Sequence, residues 1–299
     1  MAIYKSNGLP LTSAHELDGD SVIAVYDAEG TIVFSPSVNY KDYSFTQKWA
    51  SKGISSTQGF DVYDGKVFWV SKSGNSSADS NCYVWNLSDG SQALDTPYIT
   101  IYSWHGNNLC FNFPELYASS AYTPNCYINT LSDDFTTATL TKTLALNDGS
   151  IDCDACLDES DKTILWTLGH TANSSNPNAP FYISKWDLEH LTDNGNGTYT
   201  PQLLQKVELP QPVCFYFQGC KMHDGLMWFA SGYAGSSTQA YVYAVNPNIG
   251  SYVYTIDCET TSEPEGVAWV SDNSVAGGYA LYVGFAGMAL RKYIFSAIN

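Results

Sequence analysis

The apolar positions of this chain occur in short runs that are separated by turns rich in Gly, Asp, Asn and Ser. Two of the clearest runs, residues 66–70 and 226–230, each follow directly on an Asp-Gly dipeptide. Asp-Gly between two β-prone runs is a hairpin signal, because both residues tolerate the positive φ of a type I′ turn. The pattern therefore predicts strands joined by tight turns.

The same hairpin unit repeats along the chain. Its copies begin at five polar residues, and four of the five are followed directly by Gly. The first and second copies are 47 residues apart, as are the second and third and the fourth and fifth, while the third interval is 66 residues. The extra length falls in the loop 170–180 and in a hairpin tip at 193–198. The five starting positions are Gln58, His105, Asp152, Gln218 and Glu265.

A strand-rich repeat of about 40–50 residues is typical of a β-propeller. We predict an all-β, five-bladed β-propeller with four antiparallel strands per blade. Nothing after Asn299 supplies a last strand, so we expect a strand near residues 45–49 to close the last blade, which removes an exposed sheet edge. The predicted domains are an N-terminal extension over 1–43, with a hairpin at 22–34, and a propeller over 44–299.

Charge and hydropathy restrict the partners. The net charge is −17, from 13 basic and 30 acidic residues, and a surface this acidic repels the phosphates of nucleic acids and anionic bilayers. No apolar run approaches the roughly 18 residues of a membrane span, so we expect no membrane insertion. The first residues do not resemble a signal peptide, which predicts a protein that is cytoplasmic, or that reaches a virion or the medium by cell lysis. The oligomeric state stays open.

Eight cysteines raise the question of disulfides and metals. Most of them lie inside apolar strand runs, where a free thiol behaves as a small hydrophobic group. Cys153 and Cys156 have CxxC spacing, but no second CxxC or pair of histidines accompanies them. We therefore expect buried free thiols, with no metal site and no disulfide.

The five repeat starts should converge where the inner strands of a propeller open, so the sequence predicts a ring of polar side chains at the mouth of the central channel. Two carboxylates in one confined site repel each other unless a cation, a proton or a hydroxyl-rich ligand separates them. We therefore expect no cofactor, with a cation at the channel mouth as the alternative to hydroxyl or amine groups of a ligand. The candidate ligand-binding residues are the ring residues Gln58, His105, Asp152, Gln218 and Glu265 together with Trp104, Asn107 and Tyr233.

Catalysis is less well supported by the sequence than binding. There is no Gly-X-Ser-X-Gly motif, and no catalytic residue is predicted. Asp152 and Glu265 would serve as an acid–base pair only if the ring brought them close together. The competing interpretation is that the polar ring satisfies its own hydrogen bonds and holds channel water.

Several segments resemble a known class of propellers. They are Thr57 to Phe60, His105 to Asn108, Phe217 to Gly219, Glu263 to Ala268 and Ala280 to Phe285. Together these resemble the five-bladed propeller of phage tail and baseplate receptor-binding proteins, whose related domains are labelled teichoic-acid-biosynthesis-C-like. The resemblance covers roughly residues 44–299 and implies non-catalytic binding of a cell-surface glycopolymer.

Two alternatives come from other classes of protein. Thr57 to Phe60 and residues 71–77 are similar to propeller-type glutaminyl-peptide cyclotransferases, which would imply an enzyme. The Asn-Glu-Leu-Glu stretch of those enzymes is missing from this chain. The other alternative is a protein-interaction scaffold.

The cysteine interpretation gives the first testable prediction. Thiol titration of the protein, denatured without reductant, should count all eight cysteines, because strand thiols in a chain without an export signal have no oxidising partner. A count of six or fewer would show that at least one disulfide forms.

Overall fold

The computed structural model describes residues 13–17, 21–26, 32–34, 38–72, 78–171, 180–210, 216–233 and 238–297, with side chains from residue 40 to residue 296. In these ranges the chain is all-β, with strands and one 3-10 turn at Ala276–Gly278. Among the described residues, no helix has the length and apolar character needed to cross a membrane.

The N-terminal part forms a small sheet of its own. Its three strands are β1 (Ser13–Leu17), β2 (Ser21–Tyr26) and β3 (Ile32–Phe34), in the order β1-β2-β3. The antiparallel pairing of β2 with β3 agrees with the hairpin predicted at 22–34. The next strand, β4 (Val38–Trp49), crosses the predicted domain boundary and belongs to a different sheet.

Three further sheets have four antiparallel strands each. We call the strand that comes first in each of these units its inner strand. The first contains β5 (Thr57–Tyr63), β6 (Lys66–Ser71), β7 (Asp79–Asn86) and β8 (Ile99–Tyr102). The second contains β17 (Phe217–His223), β18 (Leu226–Ser231), β19 (Tyr241–Asn246) and β20 (Ser251–Asp257). The third contains β21 (Pro264–Ser271), β22 (Tyr279–Phe285), β23 (Ala289–Ala297) and β4.

The middle of the chain forms a single eight-stranded sheet. One half contains β9 (Asn108–Asn112), β10 (Glu115–Ser119), β11 (Asn125–Leu131) and β12 (Ala138–Ala145). The other half contains β13 (Asp154–Leu157), β14 (Ile164–His170), β15 (Phe181–Asp193) and β16 (Thr198–Leu209).

The predicted five separate four-stranded sheets are therefore not confirmed, because two expected units share a sheet. The reason is the length of β15 and β16, at 13 and 12 residues, whose hairpin tip falls in the segment predicted at 193–198. The tip reaches β12, where Thr143 donates to the carbonyl of Gly197 at 2.9 Å. A short parallel pairing follows, of Thr143 with Thr198 and of Leu144 with Tyr199.

The five strands that begin these units contact one another in sequence. β5 contacts β9, β9 contacts β13, β13 contacts β17, β17 contacts β21, and β21 contacts β5. This closed circuit of inner strands gives the chain a β-propeller-like fold. Asp61 of β5 and Lys221 of β17 pair within the circuit at 2.6 Å, Asp61 being fully buried.

The N-terminal strand closes the last sheet, as predicted. β4 pairs antiparallel with β23, and Phe45 lies opposite Tyr293. Tyr40 of β4 is buried, and its ring makes edge contacts with four aromatic rings. Burying a large aromatic side chain contributes about 1.5–3 kcal/mol, so the closing strand is held by its core face as well as by its hydrogen bonds.

Close approach of the inner strands requires glycine at particular positions. Gly219 has a φ of +65°, and a Cβ added there would lie 2.8 Å from Gly266 Cα and 2.9 Å from Asn108 Oδ1. Gly225, in the turn between β17 and β18, has a similar φ of +69° but no atom within 4 Å of an added Cβ. The two glycines therefore share a backbone conformation and differ in their surroundings.

We expect Gly219→Ala to destabilise the protein more than Gly225→Ala does. Both substitutions should lower the free energy of unfolding by about 1–2 kcal/mol, because they place an L side chain in the left-handed region. Gly219→Ala should lower it further, by about 1–3 kcal/mol, through overpacking. Denaturant unfolding of the two variants measures the difference. Equal losses would show that the inner strands have room at Gly219.

Candidate functional site

One end of the inner strands carries a circuit of hydrogen bonds that passes through all five of them. We call this end the channel mouth. Backbone groups take part as well as side chains, and every link joins neighbouring units. The links are Gly59 N to Gly106 O at 3.1 Å, Asn107 Nδ2 to Asp154 Oδ1 at 2.7 Å, Gly219 N to Asp154 Oδ2 at 2.7 Å, Gln218 Nε2 to Glu263 Oε1 at 3.0 Å, and Thr57 Oγ1 to Glu265 Oε1 at 3.0 Å.

Asp154 is the most buried carboxyl group of this circuit, with no exposed surface. Its two oxygens accept from Asn107 and from the backbone of Gly219, so it joins three units. Burial raises the pKa of Asp154 to about 7, although both hydrogen bonds lower it. Asp154 lies 47 residues after Asn107, the period of the repeat, so the sequence held a signal for this pair.

Glu265 is only 3% exposed, and its two oxygens differ in their surroundings. Oε1 accepts from Thr57 at 3.0 Å, and Thr57 in turn accepts from the backbone of Gly287. Oε2 is buried and has no hydrogen-bond partner in the structure. Burial, followed by the charge of Glu263, raises the pKa of Glu265 well above its usual range. Burial therefore favours the uncharged form of Glu265, and its Oε2 is a buried polar atom without a partner among the described residues.

Asp152 forms a second acidic group, next to His170 at the end of β14. Asp152 Oδ2 lies 3.2 Å from His170 Nε2, and the His170 ring packs against Phe181 and Phe217. Burial and then the charge of Asp154 raise the pKa of Asp152 to about 8. His170 was not among the residues predicted for the site.

His105 lies at the mouth beside aromatic and basic neighbours. Its ring meets Tyr122 edge-on at 4.6 Å, and its Nδ1 is buried without a hydrogen-bond partner. Burial, with a smaller effect of the Lys72 charge, lowers the pKa of His105 to about 4. Burial also lowers the pKa of Lys72.

The predicted ring residues all lie near the channel mouth, but in the described part of the chain no hydrogen bond joins two of the five. Gln58 is half-buried, Trp104 is half-buried with a φ of 52°, and Tyr233 is exposed. The strand register shifts at three of the five repeat starts, in β5, β17 and β21. Because a bulge re-aims the side chains beside it, equal spacing along the sequence did not give equal orientation.

The titratable groups at the mouth share one electrostatic property. Burial favours the uncharged form of Asp152, Asp154, Glu265 and His105 alike, because it penalises any charge that is removed from water. Burial therefore disfavours charge on these four groups, while Glu263 and Lys72 beside them act as charges on Glu265 and His105.

The residues that could together hold a metal ion lie away from the mouth. Within the described residues, the group of three potential ligands whose atoms lie within 4.8 Å of one another is Glu159, His223 and Asp224. These residues lie at the opposite end of the inner strands and already bond one another, His223 Nδ1 to Glu159 Oε1 at 2.9 Å and Asp224 N to Glu159 Oε2 at 3.0 Å. Tyr40 of the closing strand donates to Asp224 at 2.7 Å, so this cluster anchors β4.

Comparison with known proteins identifies the type of fold. No protein-family profile and no curated protein sequence matches the chain. Among solved structures, the crystal structure of Myxococcus xanthus glutaminyl cyclase is similar with a TM-score of 0.54 and 12% identity, over 86% of this chain and 97% of that one. The comparison supports a propeller-type fold and gives no support to the resemblance to phage receptor-binding proteins.

The raised pKa of Asp152 predicts a pH dependence of stability. The folded value of about 8 exceeds the unfolded value of about 3.9, so its contribution is complete below pH ~4 and is lost as the pH rises through 8. We expect Asp152→Asn, which cannot ionise, to reduce the fall in the free energy of unfolding between pH 5 and pH 8 by up to about 1 kcal/mol per pH unit.

Urea unfolding at several pH values measures this slope. Asp95→Asn, at an exposed aspartate, controls for the change in net charge and should keep the wild-type slope. The same slope in Asp152→Asn and in the wild type would contradict the protonated state of Asp152.

Proposed function

We propose that the chain is a five-bladed β-propeller whose channel mouth binds a neutral, hydroxyl-rich ligand, such as a sugar unit of a cell-surface glycopolymer. The five blades follow if the eight-stranded sheet is counted as two blades, β9–β12 and β13–β16. Two observations support this count: the halves share only two residue pairs, and each half supplies one of the five inner strands that contact in sequence. Such a site suits receptor binding on a phage tail or a cell envelope.

The observation that carries the binding proposal is Glu265 Oε2, a buried polar atom without a partner in the structure. Leaving such a group unsatisfied costs about 1–3 kcal/mol, which a ligand recovers by supplying the hydrogen bond. A protonated carboxyl group both donates and accepts, and a hydroxyl group does the same. Thr57 fixes the carboxyl through Oε1, so the orientation of Oε2 is set before a ligand arrives.

Burial that disfavours charge on Asp152, Asp154, Glu265 and His105 supports an uncharged ligand. An anion, including a free phosphate, meets a protein of net charge −17 and finds no cationic side chain among the ring residues. A metal cation would need carboxylates that burial keeps protonated. A neutral sugar avoids both penalties.

Cyclisation of an N-terminal glutamine is a second candidate function. It is favoured by the similarity to Myxococcus xanthus glutaminyl cyclase and by the near-neutral pKa of Asp152, about 8, which suits general acid–base catalysis. In that reaction the amine nitrogen attacks the side-chain carboxamide carbon and ammonia leaves. A carboxylate would take the amine proton, and a carboxylic acid would protonate the departing nitrogen.

Substitutions of Glu265 test the binding proposal. Glu265→Leu removes the hydrogen-bonding group and should weaken binding to a glycan-array hit about tenfold or more. Glu265→Gln keeps a neutral donor and acceptor, so it should bind like the wild type at pH 7. Because ionisation removes the proton of Glu265, wild-type affinity should fall as the pH rises through its raised pKa, whereas Glu265→Gln should not show this fall.

The glycan array and an assay of ammonia release from a Gln-initiated peptide, on one preparation, separate the candidates. Sugar binding without ammonia release supports the binding proposal. Ammonia release by the wild type that is lost in Asp152→Asn would contradict the binding proposal and support the glutamine-cyclising enzyme. If the protein showed neither sugar binding nor ammonia release, both candidate functions would be contradicted, and an interaction scaffold would be favoured.

A further inference from the structure

Four large apolar side chains are exposed around one side of the channel mouth. They are Tyr122, Ile151, Tyr216 and Tyr233, with 55%, 44%, 44% and 42% of their surface accessible. Tyr216 and Tyr233 stack on each other at 4.5 Å with their planes 28° apart. We call these four residues the apolar arc. Exposed apolar surface that is grouped, not scattered, marks interaction sites.

The residues of the arc belong to three neighbouring units that hydrogen bonds join. On one side, the backbone of Cys153, two residues after Ile151, donates to the carbonyl of Ser120, whose hydroxyl accepts from Tyr122 N. On the other side, Ile151 N donates to the carbonyl of His170, whose ring contacts Phe217, the neighbour of Tyr216. The arc therefore lies on the units that begin with β9, β13 and β17.

The remaining part of the mouth has a different character. In the described residues of the units that start with β5 and β21, no large apolar side chain is exposed at this end; Tyr279 lies at the opposite end of the strands, and Tyr98 packs against Tyr83 of β7. Thr57 and Glu265, the polar part of the proposed site, lie on this side. The mouth thus combines one hydrogen-bonding pocket with an aromatic surface beside it.

We propose that the apolar arc is a second subsite, on which further sugar rings of an oligosaccharide stack while one unit occupies the pocket at Glu265. This inference rests on the proposed binding function and extends it from a single unit to a chain. Tyrosine offers an apolar ring face and a polar hydroxyl, which matches the C–H face and hydroxyl edge of a sugar. The arc contains no charged side chain, and burial favours the uncharged forms of Asp152 and His105 beside it, so a neutral glycan fits it better than a charged peptide.

The test measures how affinity depends on ligand length. The probe is a printed array of mono- to hexasaccharides built from neutral hexoses and N-acetylhexosamines, followed by calorimetry with the length series of the best hit. Wild-type affinity should rise at least tenfold from the monosaccharide to the longest member. Tyr216→Ala and Tyr233→Ala should each abolish that gain, and Tyr216→Ala should leave monosaccharide affinity unchanged.

Matched variants keep the result interpretable. Tyr216→Phe retains the ring and should retain the gain, and Tyr279→Ala, at a tyrosine that is 40% exposed at the opposite end, should behave as the wild type. Thermal unfolding shows whether each variant is folded.

The outcomes separate this inference from the function on which it rests. The second subsite would be contradicted if affinity did not depend on ligand length, or if the gain with length survived both Tyr→Ala substitutions. Binding of peptides without sugars would contradict it as well. If Glu265→Leu still weakens monosaccharide binding in that case, the proposed function stands. Absence of binding to every sugar on the array would overturn both.

Discussion

The carboxyl group of Asp154 is the interaction on which the arrangement of the inner strands depends. It accepts hydrogen bonds from Asn107 and from the backbone of Gly219, and it is completely buried while doing so. A buried polar group without partners costs about 1–3 kcal/mol. Separating the segments of Asn107, Asp154 and Gly219 would therefore leave the carboxyl group of Asp154 without partners and destabilise the fold. Other links of the circuit, such as Gln218 to Glu263 and Thr57 to Glu265, each join two neighbouring units, and apolar side chains fill the space between the sheets.

Closure is the second constraint, and it comes from the two ends of the propeller-like fold. β4 pairs with β23, and Tyr40 carries the N-terminal strand into the aromatic core beside Trp228 and Trp269. Its hydroxyl group donates to Asp224, which the Glu159–His223 pair holds in turn. A sheet edge that would attract other chains is thereby paired within the molecule.

Desolvation links the fold to the proposed site. Packing inner strands closely enough to need Gly219 excludes water from the mouth, and the loss of water favours the uncharged forms of Asp152, Asp154, Glu265 and His105. The neutral ligand that we propose for the mouth follows from this effect of burial on its titratable groups.

The sequence by itself determined the repeat, the hairpins and the closing strand, because turn chemistry and strand periodicity are local properties. It placed the five repeat starts at the ends of the inner strands, and the 47-residue period also joins Asn107 to Asp154. Only the tertiary structure decided which side chains meet. Bulges in β5, β17 and β21 turn side chains away from an equivalent ring, and the long hairpin of β15 and β16 joins two expected sheets. The protonation of Asp152 and Glu265 likewise depends on burial, which arises when distant segments pack and has no counterpart in the order of the residues.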